Sequence, residues 1–261
     1  MPLKRYGADC ALLVVDVQNS FCPGGELAVP GGDEVAPLIN HLSLLFENVV
    51  LTQDWHPADH ISFASSHPGM QPFQSVDLPY GPQTLWPDHC VAGSHGADFH
   101  PELETQHARL IVRKGIHAKV DSYSAFVEAD RAASTGLAGY LRELGVKKVW
   151  LAGLATDFCV AWSAIDACAA GFETFVVEDA CRAIDIDGSL ADAWMKMRQA
   201  GVRRLRSDEV FKSTAASRTT NPCRRKCRPL PAARCSSRSA TSAPACSRNS
   251  CRRCRRSASA A

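Results

Sequence analysis

The sequence predicts an α/β fold: a mostly parallel central sheet of about six strands, covered by helices on both faces in three layers. Three observations predict it. Short, continuously aliphatic runs recur along the chain, as they do in strands buried on both faces. Segments of helical periodicity separate them. The connections are short, so each strand returns parallel to the one before.

The first run is ALLVVDV (11–17), apolar up to Asp16. GDEVAPLINHLSLLF (32–46) follows as a helical pattern, and NVVLTQD (48–54) is the second strand. RLIVRKG (109–115) is the third strand, and STGLAGYLRELG (134–145) is the next helix. KKVWLAG (147–153) gives a fourth strand, which turns at GLATDFC into the helical pattern TDFCVAWSAIDACAAG (156–171). FETFVVED (172–179), GSLADAWMKMRQAG (188–201) and a short strand near VRRLRS (202–207) complete the alternation. Three of the helical patterns close on Gly145, Gly171 and Gly201, where a left-handed C-cap is expected.

Charge divides the chain in two. Its formal net charge is +2, but residues 213–261 hold twelve of the 29 Lys and Arg residues and no acidic residue. Residues 1–212 therefore set 17 basic side chains against all 27 acidic ones and read as one acidic globular domain. The tail, 213–261, is rich in Arg, Ser, Ala and Cys, nearly devoid of large apolar residues, and expected to be disordered. It has three readings: a basic arm for acidic surfaces, a zinc site, or an out-of-frame extension. C-x3-C followed much later by C-x2-C matches no standard zinc framework, and the extension is favoured. No signal peptide is visible, and no stretch approaches the roughly 20 apolar residues of a membrane span. The expectation is a cytoplasmic domain with reduced thiols.

In open α/β sheets, ligands sit beyond the carboxyl ends of the strands. Asp16, Asp54, Lys114 and the GLATDFC turn (153–159) all fall there. Residues 55–108 break the alternation with a long stretch rich in Pro, His, Asp and Gly, and six of the nine histidines lie within 56–100. A segment of that length inside a domain is commonly functional, and a metal would order it. In DWHP, Asp54 and His56 lie two residues apart on one side of an extended segment. His89 in WPDHC is the third candidate ligand, and His60 a fourth or the holder of a metal-bound water. Two His and one carboxylate suit Zn²⁺, Mn²⁺ or Fe²⁺. A non-haem iron oxygenase uses the same set, but the α/β pattern and a cysteine nucleophile argue against it. The bland reading of DWHP as a plain turn stays open on spacing alone.

Cys159 begins a helical pattern, where the macrodipole favours thiolate, and a nearby Lys114 would lower its pKa further. Asp16 would take the thiol proton, and the Ala155 and Cys159 N–H groups would hold an oxyanion. Spacing alone also allows a packed thiol, a strand-end carboxylate and a solvated lysine.

The strings VVDVQNSFCPGGELAVPGGDEV (14–35), LTQDWHPADHISFASSH (51–67), LWPDHCVAGSHGADFHPEL (85–103), VRKGIHAKVDSYSAF (112–126) and GLATDFCV (153–160) decide between these. Together they resemble nicotinamidase/pyrazinamidase, within the isochorismatase-like cysteine hydrolases, over roughly residues 8–212 and none of the tail. The resemblance implies an Asp16–Lys114–Cys159 triad. It implies metal ligands Asp54, His56 and His89, with His60 ligating in only some members, and zinc as the first choice of metal. It also implies a cis peptide at Leu154–Ala155, and Phe21, Trp86, Tyr123 and Leu154 around the substrate ring. The implied reaction converts nicotinamide to nicotinate and ammonia in NAD salvage, with pyrazinamide as a second substrate. The metal's implied task is to hold the pyridine nitrogen. A related amidohydrolase acting on another carbamoyl compound, or an inactive body with a nucleic-acid-binding tail, are the alternatives. No membrane partner and no nucleic acid is expected for the body, and a homo-oligomer is left open. Ser20 stands where the family often has Asp, with little effect expected because Asp16 and Phe21 are retained.

Overall fold

In the computed structural model, which describes residues 5–216, the elements run β1 (Cys10–Val15), α1 (Val35–Ser43), β2 (Asn48–Asp54), β3 (Ser75–Leu78), β4 (Gly81–Thr84) and β5 (Leu110–Lys114). There follow α2 (Leu137–Glu143), β6 (Lys148–Leu154), α3 (Ala161–Ala169), β7 (Glu173–Arg182), α4 (Ser189–Gln199), β8 (Arg203–Leu205) and α5 (Ser207–Ala216). Six strands form one sheet in the order β5-β2-β1-β6-β7-β8, and every pairing in it is parallel. The expected fold class is therefore observed. Of the tail expected from residue 213, all beyond Ala216 lies outside the described residues.

Alternation along β1 explains the three layers. Leu12 and Val14 face a core shared with Val35, Ile39 and Leu42 of α1, while Leu13 and Val15 face Leu141 of α2, Ala164 of α3 and Met197 of α4. All six residues of β1 are buried, which is why the strand shows no polar position. Each residue buried this way contributes on the order of 1.5–3 kcal/mol, so the central strands anchor everything attached to their ends.

The chain leaves β1 towards β2 and β5 on one side, then returns to add β6, β7 and β8 on the other. The carboxyl ends of β1 and β6 consequently flank the point where the winding reverses, the usual place for a ligand crevice in such sheets.

Three features differ from the sequence expectation. Residues 75–84 form the antiparallel hairpin β3–β4 inside the long segment, where Asp77, Pro79, Gly81 and Pro82 mask any strand pattern. The closing helix α5 is likewise absent from the expected elements. The helix after β6 opens with a π-helical turn, Thr156–Val160, in which Val160 N–H reaches Ala155 C=O at 3.1 Å before regular α3 begins. Asp157 anchors this turn. Its carboxylate accepts from Ile184 N–H, Asp185 N–H and Ser189 Oγ–H, tying the turn to the β7–α4 connection. Among the described residues, no helix is long and apolar enough to cross a membrane.

Candidate active site and metal centre

Four strand ends deliver the chemistry. Asp16 follows β1 with a φ of +49°, in the left-handed region that an ordinary residue occupies at a cost. Thr52 of β2 holds it there: its Oγ1 donates to Asp16 Oδ1 at 2.5 Å and accepts from Asp16 N–H at 3.1 Å. Lys114 ends β5, Asp54 ends β2, and Cys159 lies in the π turn after β6.

Lys114 is the hub, with 1% of its surface exposed. An ammonium has three protons, and here they go to Asp54 Oδ1 at 2.7 Å, the Ser122 carbonyl at 2.9 Å and Cys159 Sγ at 3.3 Å. Asp16 Oδ2 lies 2.9 Å from Nζ, close enough for charge attraction, yet it receives no aligned hydrogen bond. That oxygen is the acceptor left over for the thiol proton. Asp16 Oδ2, Asp54 and Cys159 thus surround one ammonium, and the reactive atoms of the two carboxylates and the thiol lie within 4.8 Å of one another. With Lys114 in their midst, this group holds a cation already and leaves no place for a metal.

The electrostatics follow from burial and these contacts. Burial by itself would lower the Lys114 ammonium, but Asp16, Asp54 and Cys159 outweigh it and hold it well above the ordinary lysine range. Burial raises the Asp16 carboxyl against the opposing pull of Lys114. Asp54 goes the other way: burial pushes it up, but Lys114 and His56 pull it below the usual carboxylate range. For Cys159, burial pushes the thiol well above its ordinary value, Asp16 and Asp54 add to that, and Lys114 only opposes it. The expected lowering of this thiol is therefore corrected. Loss of water around a sulfur buried to 7% exposure, beside two carboxylates, outweighs one ammonium and one turn of helix.

A second cluster adjoins the first. Asp54 Oδ2 lies 3.4 Å from His56 Nε2 and 3.9 Å from His89 Nε2, and the three residues converge within 4.8 Å. His56 Nδ1 faces the Gly115 carbonyl at 2.9 Å, and His89 Nδ1 faces the Pro87 carbonyl at 2.7 Å. A carbonyl accepts only N–H, so both rings carry a proton on Nδ1 and point Nε2 towards Asp54. This set of two imidazoles and one carboxylate fits a divalent ion such as zinc. Burial pushes His56 down, but Asp54 outweighs it and raises His56 above its ordinary pKa. Burial and His56 together push His60 and His89 down to about 4.

His60 does not join that triangle. Its Nδ1 is bonded to Ser62 Oγ at 2.7 Å and its Nε2 to the Val120 carbonyl at 3.1 Å, while its ring lies over His56 at 4.1 Å. It groups instead with His56 and Asp121.

Phe21, Trp86, Tyr123, Phe158 and Ala155 line a cavity that reaches both Cys159 and the Asp54–His56–His89 cluster. Trp86 Nε1 donates to Tyr123 Oη at 2.9 Å, and Trp86 meets Phe158 edge to face at 4.9 Å. Leu154 is fully buried and packs into the α1 side of the core rather than lining this cavity. The peptide bond Leu154–Ala155 is cis.

Several residues of the site carry no local sequence signal. Gln18 bonds Asp54 at both ends, Nε2 donating to its carbonyl at 2.9 Å and Oε1 accepting its N–H at 2.8 Å. Thr52 and Ser122 were equally silent, since an alcohol in a strand and a carbonyl in a loop look ordinary. Gly115 had a legible signal in the strand-ending RKG. Its φ is +64°, and a Cβ there would fall 2.3 Å from the His56 ring.

Comparison with known proteins adds to this geometry. A family model described as Isochorismatase domain matches residues 10–209. The chain is 58% identical over 207 residues to the nicotinamidase of Acinetobacter baylyi, covering 79% of this chain and 97% of that one. A solved nicotinamidase/pyrazinamidase of Acinetobacter baumannii is 57% identical, with a TM-score of 0.78 over 79% of this chain and 100% of that one. The pyrazinamidase of Pyrococcus horikoshii, solved in complex with zinc, is 34% identical, with a TM-score of 0.62 over 76% of this chain and 99% of its own.

Proposed function

The chain belongs to the isochorismatase family, in its nicotinamidase/pyrazinamidase group of amidohydrolases, and on that premise we propose that it hydrolyses nicotinamide to nicotinate and ammonia. The same reading extends to pyrazinamide, to a role in returning nicotinamide to NAD, and to a cytoplasmic setting in which the cysteines stay reduced. All six cysteines among the described residues are free thiols, which accords with that setting.

One observation carries the chemistry: Lys114 spends its three protons on Asp54, Ser122 and Cys159, leaving Asp16 Oδ2 as the open base. The thiol is protonated at rest, so attack requires a base at the moment of bond formation. Asp16, itself raised by burial, takes the proton as Sγ adds to the carboxamide carbon. Lys114 stays charged and steadies the sulfur as it becomes anionic. The N–H groups of Ala155 and Cys159 receive the oxyanion. Collapse breaks the C–N bond, and Asp16 returns its proton to the departing nitrogen, which leaves as ammonia. The resulting thioester is hydrolysed by water, with Asp16 again taking a proton, and nicotinate departs as the thiol reforms.

Asp54, His56 and His89 would hold the metal, zinc by preference. When bound, it supplies a Lewis acid for the ring nitrogen, which fixes the carboxamide towards Cys159 and selects aromatic amides with such a nitrogen. Phe21, Trp86 and Tyr123 flank the ring and exclude water.

Ammonia release from nicotinamide, measured with Cys159→Ala beside the wild type, tests this reading. Turnover should vanish while zinc content stays unchanged. A variant that keeps near-normal turnover would show that another group is the nucleophile.

A further inference from the structure

We propose that Ser20 and Glu26 form a relay that positions the metal centre, by holding the backbone of Cys90 between the ligands His56 and His89. The inference rests on the metal reading above.

Ser20 lies in the single helical turn Asn19–Phe21 just beyond β1, and its side chain is fully buried. A hydroxyl has one proton to donate. Glu26 Oε2 takes it at 2.7 Å, so an oxygen lone pair is left facing the backbone N–H of Cys90, 2.9 Å away. Glu26 therefore decides which way the hydroxyl points. Without it, the proton could turn against the Cys90 N–H.

Cys90 is an unusual place to need such support. Its φ is +47°, left-handed for a residue with a side chain, a conformation kept only where neighbours impose it. Two hydrogen bonds impose it here: Ser20 Oγ on its N–H, and the His56 N–H on its carbonyl at 3.0 Å. The pairing continues as Ala92 N–H donates to the His56 carbonyl at 2.8 Å. One backbone unit thus joins the strand-end ligand His56 to the loop ligand His89, which immediately precedes Cys90. Ser20 is the contact that fixes this unit from a third segment of the chain.

The surroundings are fitted to the relay. A Cβ on Gly96 would lie 2.4 Å from Ser20 Oγ and 2.9 Å from Glu26 Oε2, so only glycine lets the 95–97 turn close over the pair. Ser20 also accepts the Leu27 N–H on its own carbonyl at 3.0 Å, which folds the 20–27 loop back and brings Glu26 beneath it. The expectation that Ser20 has little effect is replaced by a positioning role.

The test measures zinc affinity of the purified full-length protein by competition with a chromophoric chelator, alongside thermal unfolding of the zinc-free protein. Ser20→Ala should weaken zinc binding about 10–100-fold, the usual effect of removing a group that orients a ligand. Ser20→Asp, which restores an acceptor for the Cys90 N–H, should recover most of the loss. Glu26→Ala, at an exposed residue that folding tolerates, should weaken zinc binding in the same direction with little change in unfolding temperature. It carries the test if Ser20→Ala does not fold. Zinc affinity unchanged in both Ser20→Ala and Glu26→Ala, or lowered melting without loss of affinity, overturns the relay alone. A wild-type protein that takes up no zinc overturns the metal reading and the relay with it.

Discussion

Replacing Lys114 by Met keeps most of the aliphatic stem and removes the charge that three side chains share. Asp16 Oδ2 and Asp54 Oδ1 would lose a cation at 2.9 Å and 2.7 Å, in side chains that are 0% and 5% exposed. Removing one partner of a buried ion pair costs about 3–5 kcal/mol, because the other charge stays behind without water. For a domain of this size, each kcal/mol moves the melting temperature by about 2–4 °C, so Lys114→Met should melt roughly 6–20 °C below the wild type. Turnover should fall further, because Cys159 Sγ also loses the donor at 3.3 Å that steadies it as a thiolate. Losing one such preorganised donor costs about 10²–10³ in rate. Adding Asp16→Asn supplies a second check. It removes one of the two stranded carboxylates and should recover about 0.5–3 kcal/mol of stability, while leaving the protein inactive for want of a base. Thermal unfolding and ammonia release from nicotinamide, both at saturating zinc, measure the two effects. If Lys114→Met melts with the wild type and turns over normally, the ammonium is not the hub of this site.

The other predictions concern the metal cluster and the cavity. Gly115→Ala should displace the His56 ring, which a Cβ would approach to 2.3 Å. Zinc affinity should drop at least tenfold, and an unchanged affinity in chelator competition would refute the tight fit. His56→Ala should lower zinc content in elemental analysis and raise KM, and a stoichiometric zinc load would remove it from the ligand set. Tyr123→Phe leaves the Trp86 indole N–H and the Gln83 amide without their acceptor at 2.9 Å and 3.0 Å, a loss of about 1–3 kcal/mol in stability, and loosens the wall against the ring. KM should rise about tenfold for each 1.4 kcal/mol of lost binding, with kcat changed less, and an unaltered KM would place Tyr123 outside substrate binding. Prolonged chelation should suppress ammonia release and added zinc should restore it. Full activity of rigorously metal-free protein would end the ring-anchoring role.

Much of this protein was legible in one dimension. The strand pattern at 11–17, 48–54, 147–153 and 172–179 reports burial on both sheet faces, whereas 109–115, read the same way, forms the edge strand β5, in which Ile111 and Arg113 are exposed. The same pattern put Asp16, Asp54, Lys114 and the GLATDFC turn at strand ends, and the parallel sheet brings those ends to one edge. Asp54 and His56 were readable because they lie two residues apart. His89 was a candidate on residue type, and folding had to carry it 35 positions back to its partners.

What stayed hidden depends on sums over distant groups. The Cys159 thiol is raised rather than lowered because burial, Asp16 and Asp54 act together against Lys114, and no stretch of sequence shows that balance. His60 stands in a string that offers a candidate fourth ligand, but the fold groups it with His56 and Asp121 instead of Asp54 and His89, with Ser62 Oγ and the Val120 carbonyl at its nitrogens. Leu154 follows the same rule, turned into the core by the path of β6. Ser20 reads as a neutral exchange in the sequence, and its contacts to Glu26 and the Cys90 N–H exist only in the fold. The sequence by itself determined the core of the central strands and which strand ends carry reactive groups, since both follow from local pattern and sheet topology. Only the tertiary structure decided which proton, lone pair or charge each of those groups has left to offer, because that depends on partners tens of residues away.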